Sequence, residues 1–172
     1  MFGTYETIDA RPTLQFERRI GHPIEDVWRA ITEPDQLAQW FPCTVELDLR
    51  LGGRMSFVFP PGTAAEEAVT MLGSVTELDP PRRFAFEWGE DHLHFALEPA
   101  DGGAACLLRF TVELEARDKA ARDGTGWHQC LDGLETLLDG GGSSRPYDPD
   151  AWRGLYDEYE RRGFPTGAAI PE

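Results

Sequence analysis

The 172-residue sequence predicts an α+β fold in which one curved antiparallel sheet of about seven strands packs against a long helix near the C terminus. Residues 126 to about 139 repeat their apolar side chains every three or four positions, which is typical of a helix that buries one face. Most of the chain before them alternates apolar and polar residues in short runs, which is typical of strands. Because neither unit can bury its apolar face alone, we expect the sheet and the helix to cover each other.

The composition indicates a strongly acidic protein, with 31 acidic and 16 basic residues and a formal net charge of −15. Such a surface disfavours nucleic acid and anionic membranes as partners. No apolar run approaches the ~20 residues that span a bilayer, and the start lacks the features of a secretory signal. Cys43, Cys106 and Cys130 have neither disulfide-framework nor zinc-site spacing. We therefore expect a cytoplasmic, reduced protein without a cofactor.

The first third of the chain predicts a strand followed by two short helices. Residues 1–12 are expected to form a loosely docked arm, and residues 14–20 alternate as a first strand. Pro23 suits the first position of a helix, and a second short helix ends before Pro42. Two short helices between the first and second strands are a distinctive insertion.

The central strands can be tested against one another, because a slip of one residue would turn every side chain to the other face. Four-residue loops at residues 89–92 and 100–103 and a turn at residues 79–82 give three consistent hairpins. The predicted cross-strand pairs are Trp88 with Leu93, Phe95 with Leu108, Val75 with Phe86, and Gly73 with Trp88. The glycine either leaves room for the indole ring or marks a β-bulge. All three hairpins then share one apolar face.

The C-terminal region predicts a linker and an additional amphipathic helix. The glycine- and serine-rich stretch after residue 140 has the composition of a flexible linker, and Pro149 begins a helix with Trp152, Tyr156 and Tyr159 on one side. We divide the chain into a core domain, residues 13–140, and a C-terminal segment, residues 141–172. The aromatic side of the last helix is expected to pack on the sheet, over a cavity mouth or on a second subunit.

Several local motifs resemble those of a known family. They occupy residues 20–28, 33–35, 40–42, 52–57, 73–88 and 126–127. As a set they resemble the helix-grip fold of the START-like, Bet v 1-like (SRPBCC) superfamily, and within it the branch named for the activator of Hsp90 ATPase homologue 1. The resemblance implies an internal cavity between sheet and long helix for an apolar or amphipathic molecule. Relatives include ligand carriers, polyketide aromatase/cyclases and chaperone-associated domains.

The predicted ligand-binding residues are those that the register and the resemblance place on the inner face. They are Arg18, Trp40, Phe57, Val75, Glu77, Phe86, Trp88, Phe95, Phe110, Trp127 and Leu131. The aromatic members either line a pocket or simply fill the core. Arg18 and Glu77 either provide an anion anchor and an acid or base, or reach solvent at strand ends. The second alternative is the more common one for charged side chains.

The predicted function is binding of a hydrophobic small molecule, and no catalytic residue is assigned. His92 and His94 are expected to face outward, with His94 across from Glu87, so no metal site is predicted. The sequence also lacks a GxSxG motif. The alternatives are a cyclase- or hydrolase-like enzyme using Glu77 or a histidine, and a chaperone-associated interaction module. A homodimer through the Trp152 helix is a further possibility.

Overall fold

The computed structural model describes residues 1–61, 66–141 and 148–170, which form an antiparallel sheet wrapped around a long helix. The strands are β1 Thr4–Ile8, β2 Arg11–Ile20, β3 Thr44–Leu47, β4 Arg54–Phe59, β5 Val69–Asp79, β6 Arg83–Trp88, β7 Asp91–Ala100 and β8 Ala105–Glu113. The helices are α1 Ile24–Thr32, α2 Pro34–Leu37, α3 Ala120–Leu138 and α4 Pro149–Arg161. The strand order β1-β2-β8-β7-β6-β5-β4-β3 with α3 behind it confirms the predicted α+β helix-grip fold.

The sheet has one strand more than predicted, because the N-terminal arm is ordered as β1. Residues 4–8 pair with β2 from Thr4 opposite Gln15 to Ile8 opposite Arg11. Asp9 and Ala10 make the tight turn between the two strands with positive φ angles of 47° and 67°. The expectation of a loosely docked arm is therefore wrong. Its side chains are mostly exposed, so they carry little of the apolar alternation that identifies a buried strand.

Two short helices form where predicted, although the second ends at Leu37 and not just before Pro42, and a tryptophan joins them. α1 buries Ile24, Val27 and Ile31, the stripe expected from their spacing. α2 is a single turn, and the chain after it carries Trp40, whose indole N–H donates a hydrogen bond to the Ala30 carbonyl at 2.9 Å. This bond holds the segment between α2 and β3 against α1. The next residue, Phe41, then contacts Trp127 of α3.

Two hairpins have a register two residues away from the predicted one. Trp88 lies opposite Asp91 across a two-residue turn, and Phe95 lies opposite Phe110. The predicted partners Leu93 and Leu108 are therefore wrong. The predicted faces are nevertheless correct, because a shift of two residues leaves every side chain on the same side of the sheet. The predicted apolar inner face is therefore correct despite the error in register.

A β-bulge in β5 changes the side on which Glu77 lies. Val75 pairs with Phe86 as predicted, but the next pair is Glu77 with Ala85, so Thr76 is an extra residue in β5. Ala85 points away from the face shared by its two phenylalanine neighbours, and Glu77 therefore lies on the outer face. There it pairs with Arg83 at 3.5 Å. The prediction of an inward Glu77 is wrong.

Gly73 lies closest to the backbone of Glu87, and the ring nearest to it is that of Phe57, not that of Trp88. A Cβ atom built at this position would lie 2.2 Å from the carbonyl oxygen of Glu87. No side chain fits this close approach between β5 and β6, which explains the glycine without reference to the Trp88 ring. The β-bulge suspected at Gly73 lies three residues further on, at Thr76.

α3 begins six residues earlier than the apolar spacing suggests, at Ala120, and has two buried faces. Trp127, Leu131 and Leu134 face the sheet. On another side Gly124 allows close packing of α4, since a Cβ atom there would lie 3.4 Å from the Tyr159 ring. The two-segment division of the chain stays a prediction, and most of the predicted linker lies outside the described residues.

The aromatic side of α4 is covered within the chain. Trp152 is 5% exposed and Tyr159 is completely buried. Asp148 caps the helix by accepting hydrogen bonds from the backbone N–H groups of Asp150 and Ala151. The homodimer through this helix stays a prediction. Among the described residues, no helix has the length and hydrophobicity needed to cross a membrane.

Candidate functional site

A continuous group of aromatic rings lies between the sheet and α3. We call it the aromatic cluster and define it as Trp40, Phe41, Phe57, Phe86, Trp88, Phe95, Phe110 and Trp127. Ring centroids are 4.5 Å apart for Phe95 and Phe110 and 5.2 Å apart for Phe110 and Trp127. Both distances are within the range of favourable ring pairs. The aromatic cluster therefore connects the centre of the sheet to the sheet-facing side of α3.

The aromatic cluster reaches the surface at Trp88. This ring is only partly buried, yet it contacts Phe57 at 4.7 Å, Phe41 at 5.4 Å and Trp127 at 5.6 Å between centroids. On its outer side it meets the partly buried Phe59 at 5.7 Å. We call Trp88 and Phe59 the rim. Ring contacts thus continue without a break from solvent to the interior.

A buried ion pair between Asp91 and Lys119 lies at the end of the sheet, beside the rim. Asp91, the cross-strand partner of Trp88, is 3% exposed and accepts a hydrogen bond from the Glu115 N–H at 2.7 Å. Lys119 contacts the same carboxylate at 2.6 and 2.7 Å. Because both oxygens of Asp91 are occupied, the pair fastens the start of α3 to the β6–β7 turn.

The structure brings the predicted aromatic residues together. All seven aromatic residues among the predicted binding residues are members of the aromatic cluster. Val75 and Leu131 are buried at 2% and 1% exposure, the first opposite Phe86 and the second on the sheet-facing side of α3. In this conformation the rings fill the space between one another, so a ligand-binding role stays a prediction. Phe41 was missed, although its position directly after Trp40 in a tryptophan–phenylalanine–proline motif is a usable signal.

Arg18 lies on the inner face as predicted, but it does not reach solvent. Its side chain is 5% exposed, with Nε 3.0 Å from Oε1 of Glu135 and Nη2 3.6 Å from Oδ1 of Asp132. Neither contact has hydrogen-bond geometry. Nη1 donates a hydrogen bond to the Glu17 carbonyl at 3.2 Å. Because both acidic residues belong to α3, Arg18 joins β2 to that helix.

A second polar group joins the N terminus, α3 and α4. We call it the polar clasp and define it as Gly3, His128 and Tyr159. The Tyr159 hydroxyl accepts a hydrogen bond from the Gly3 N–H at 3.1 Å and lies 2.9 Å from Nδ1 of His128. The hydroxyl also has a hydrogen to donate, and the arrangement that uses it gives this hydrogen to Nδ1 of His128. His128 is then a neutral imidazole with its proton on Nε2, which lies 3.6 Å from Asp132.

The electrostatics of the polar clasp agree with this proton arrangement. Burial lowers the pKa of His128 to about 4 and raises the pKa of Tyr159 to about 12, so both side chains are neutral near pH 7. Phe2 packs edge-on against both rings, and the Arg162 guanidinium lies 3.9 Å from the Phe2 ring centre. The clasp lies on the α4 side of α3, away from the sheet-facing Trp127.

The remaining candidate groups do not assemble into a nucleophilic or metal site. Burial raises the pKa values of Cys43 and Cys130 to about 12, which keeps both thiols protonated at neutral pH. His92, and not His94, lies across from Glu87, while His94 is 3.4 Å from Glu113. Within residues 1–61, 66–141 and 148–170, no group of three or more metal-ligating side chains is arranged to hold an ion.

The sheet, the enclosed helix and the buried inner face define a helix-grip protein of the START-like class. Residues 21–139 match the sequence profile of the family described as Activator of Hsp90 ATPase homolog 1-like protein. The chain therefore belongs to this family, as the resemblance in the sequence predicts. The match begins directly after β2 and ends directly after α3, so β1, β2 and α4 lie outside it. No functionally curated protein matches the sequence significantly.

Solved structures share the fold at low sequence identity. EF2215 from Enterococcus faecalis, a conserved protein of unknown function, has a TM-score of 0.75 at 21% identity, over 93% of this chain and 89% of its own. The product of gene BPP1335 from Bordetella parapertussis has a TM-score of 0.72 at 23% identity, over 99% and 94%. CalU16 from Micromonospora echinospora has a TM-score of 0.69 at 20% identity, over 93% and 92%. At these identities the similarity concerns the fold alone.

Proposed function

We propose that the protein binds an uncharged, hydrophobic small molecule with aromatic character among the rings of the aromatic cluster. The observation that carries this proposal is the unbroken series of ring contacts from the half-buried Trp88 and Phe59 to Trp127 on α3. Rigid aromatic side chains offer a large contact area to a planar ligand at little entropic cost.

Binding would require the rings to move apart. Phe57 is completely buried and Trp127 is 6% exposed, so a ligand replaces contacts that already exist. Ring-on-ring contacts are replaced by ring-on-ligand contacts of similar energy, and the net gain comes from the ligand surface removed from water, at ~25 cal/mol per Å². Planar ligands of two or more fused rings bury enough surface to bind measurably.

The enzymatic alternative loses the acid that the sequence suggested for it. Glu77 is on the outer face with Arg83, and the neutral His128–Tyr159 pair is turned toward α4. Neither group meets the aromatic cluster, which supports binding without catalysis. The chaperone-associated alternative concerns surface contacts, and it predicts that substitutions in the aromatic cluster leave partner binding unchanged.

The proposal is tested by titrating the protein with 2-naphthol, an uncharged bicyclic aromatic. Isothermal titration calorimetry should show saturable 1:1 binding, and the tryptophan emission should be quenched in parallel. Trp88→Ala at the rim should weaken binding at least about tenfold, which corresponds to about 1.4 kcal/mol. The rim is the appropriate site for this variant because Trp88 is only partly buried, so folding is less affected than by changes deeper in the cluster.

Trp152→Phe is the matched control, since Trp152 lies on α4 and has ring contact with Tyr156 but with no member of the aromatic cluster. This variant should bind 2-naphthol with the affinity of the parent protein. Native mass spectrometry of freshly purified protein adds a second readout, because a co-purified aromatic compound would identify the natural ligand class. An absence of saturable binding, or equal losses in Trp88→Ala and Trp152→Phe, would overturn the proposal.

A further inference from the structure

A separate cleft of about 400 Å³ lies between α1, α2 and the C-terminal end of α3. We call it the helical cleft. Its floor is formed by Leu137 and Leu138, and its walls carry His22, Asp26, Arg29, Gln36 and Gln39. None of these residues belongs to the aromatic cluster or to the polar clasp. The volume is within the range of small-molecule sites, about 300–1,000 Å³.

The side-chain amides in the wall of the helical cleft have oxygen atoms that can accept hydrogen bonds from a ligand. Nε2 of Gln36 donates to the Glu33 carboxylate at 3.2 Å, and Nε2 of Gln39 donates to the Asp35 carbonyl at 3.3 Å. Each acceptor fixes the orientation of its amide, because an amide oxygen could not donate in these bonds. The two Oε1 atoms are left as acceptors, which favours a ligand that donates hydrogen bonds.

The basic groups of the helical cleft are already paired with acidic groups. Nε2 of His22 lies 2.9 Å from Oδ1 of Asp139, and the Arg29 guanidinium is bound to Asp26 one turn earlier on α1. Asp26 and Asp139 each keep a second carboxylate oxygen that can accept a further bond. An incoming anion would compete with these carboxylates, whereas an incoming cation would add to them.

The local field also favours a cation. α3 ends at this cleft without a basic residue in its last turn, so the partial negative charge of the helix C terminus is not compensated there by a side chain of α3. Glu25 and Asp26 occupy the first turn of α1, and Asp35 that of α2. The whole chain has a net charge of −15, which raises the concentration of cations at its surface.

We propose that the helical cleft is a binding site for an amphipathic organic cation, an alkylammonium group with a short aliphatic body. The ammonium hydrogens would bond to the Oε1 atoms of Gln36 and Gln39 and to the free carboxylate oxygen of Asp26. The aliphatic body would cover the half-buried Leu137 and Leu138. This site is independent of the aromatic cluster, so its success or failure does not depend on the proposed function.

The test is a titration of ¹⁵N-labelled protein with n-octylammonium chloride, followed by amide chemical shifts. We expect saturable shifts in α1, in α2 and in the last turns of α3. Sodium octanoate, which has the same number of carbon atoms and the opposite charge, should bind at least about tenfold more weakly. Gln39→Lys places a cation in the cleft wall at a half-buried position and should weaken octylammonium binding at least about tenfold.

Gln15→Lys is the matched control, because it changes the net charge equally on the outer face of β2, where residue 15 pairs with Thr111. It should leave the affinity unchanged. Equal affinities for octylammonium and octanoate would show an apolar surface without charge selection and would overturn the proposal. Shifts confined to Trp88 and Trp127, or the absence of saturable shifts, would overturn it as well. If both lysine variants weakened octylammonium binding equally, the loss would come from the change in net charge alone and would count against the site.

Discussion

The two buried faces of α3 use different interactions. Toward the sheet, Trp127 and Leu131 make apolar contacts, and the neighbouring rings pack on one another without directional bonds. Toward α4, His128 and Tyr159 make a short chain of hydrogen bonds in which each donor has a defined acceptor. On the sheet-facing side, one apolar contact can be exchanged for another. On the α4-facing side, the hydrogen bonds require a particular placement of the protons. This difference supports the proposed entry of a ligand on the sheet side, while the hydrogen bonds on the α4 side attach the N terminus and α4 to α3.

The largest expected effect is on the sheet side. Trp127→Ala should lower the free energy of unfolding by about 3–5 kcal/mol, because it removes the indole and leaves a cavity among well-packed rings. Urea denaturation measures the loss. Trp28→Ala is the matched control, since Trp28 is half-buried and, among the described residues, its one ring contact is with Phe84 at 6.3 Å. The loss of stability in this variant should be clearly smaller. Equal losses would show that the aromatic cluster is no better packed than the α1 surface.

The α4 side should make stability depend on pH. His128 has a folded-state pKa of about 4 against an ordinary value of 6.5, so between these values the unfolded chain binds more protons. The stabilising contribution is complete above pH 6.5 and is lost as the pH falls to about 4, by roughly 3 kcal/mol at about 1.4 kcal/mol per pKa unit.

Urea denaturation at pH 7, 5.5 and 4.5 measures this dependence. Carboxylates elsewhere in the chain also titrate in part of this range, so the parent protein is compared with His128→Gln, which lacks the imidazole. The difference in unfolding free energy between the two proteins should shrink as the pH falls. Parallel pH profiles for the two proteins would contradict the assignment of a neutral, buried His128.

Removing the hydroxyl from the polar clasp should have an intermediate effect. Tyr159→Phe keeps the ring but leaves the Gly3 N–H and Nδ1 of His128 without their partner, which should lower stability by about 1–3 kcal/mol. Tyr156→Phe is the control, because Tyr156 is half-buried and stacks on Trp152 through its ring. Thermal unfolding of both variants measures the difference. Equal melting temperatures would show that ring packing alone attaches α4.

The smallest effect is expected for Arg18→Met. Asp132 and Glu135 are 51% and 40% exposed, so both carboxylates can be hydrated when the guanidinium is removed. Methionine fills part of the same volume without the cost of burying a charge, and stability should change by less than about 1 kcal/mol or increase. Denaturation at low and high salt measures this. A loss above about 3 kcal/mol would show that the Arg18 contacts are as important as the aromatic packing.

The sequence predicts which face of the sheet a side chain lies on more reliably than it predicts the residue that lies opposite on the next strand. Phe86 and Phe95 were placed on the correct face because the period of a strand is two, even where the loop length was wrong. β1 was missed because an edge strand with mostly exposed side chains carries no apolar alternation. The first turns of α3 were missed because residues 120–125 mix charged residues with a glycine, and their packing partner, Tyr159 of α4, is distant in sequence.

The polar clasp could not be predicted, because it joins residues 3, 128 and 159, which are far apart in sequence and meet only after α4 docks. The candidate site was predicted more completely, since five of its eight rings are on strands whose side chains alternate between the two faces. Glu77 was the exception. The unpaired residue Thr76 directly before it shifts the alternation of β5 by one position, so Glu77 lies on the face opposite to the predicted one.

The bulge in β5 also determines where this chain can change its length. If Thr76 were deleted, Glu77 would still fall opposite Ala85 and Leu78 opposite Phe84, because the extra residue is the one removed. A deletion at a regular position, such as Leu107 in β8, would instead turn one end of its strand inside out. Homologous chains that lack a residue at position 76 can therefore keep the same core, and an alignment gap there is compatible with an unchanged fold.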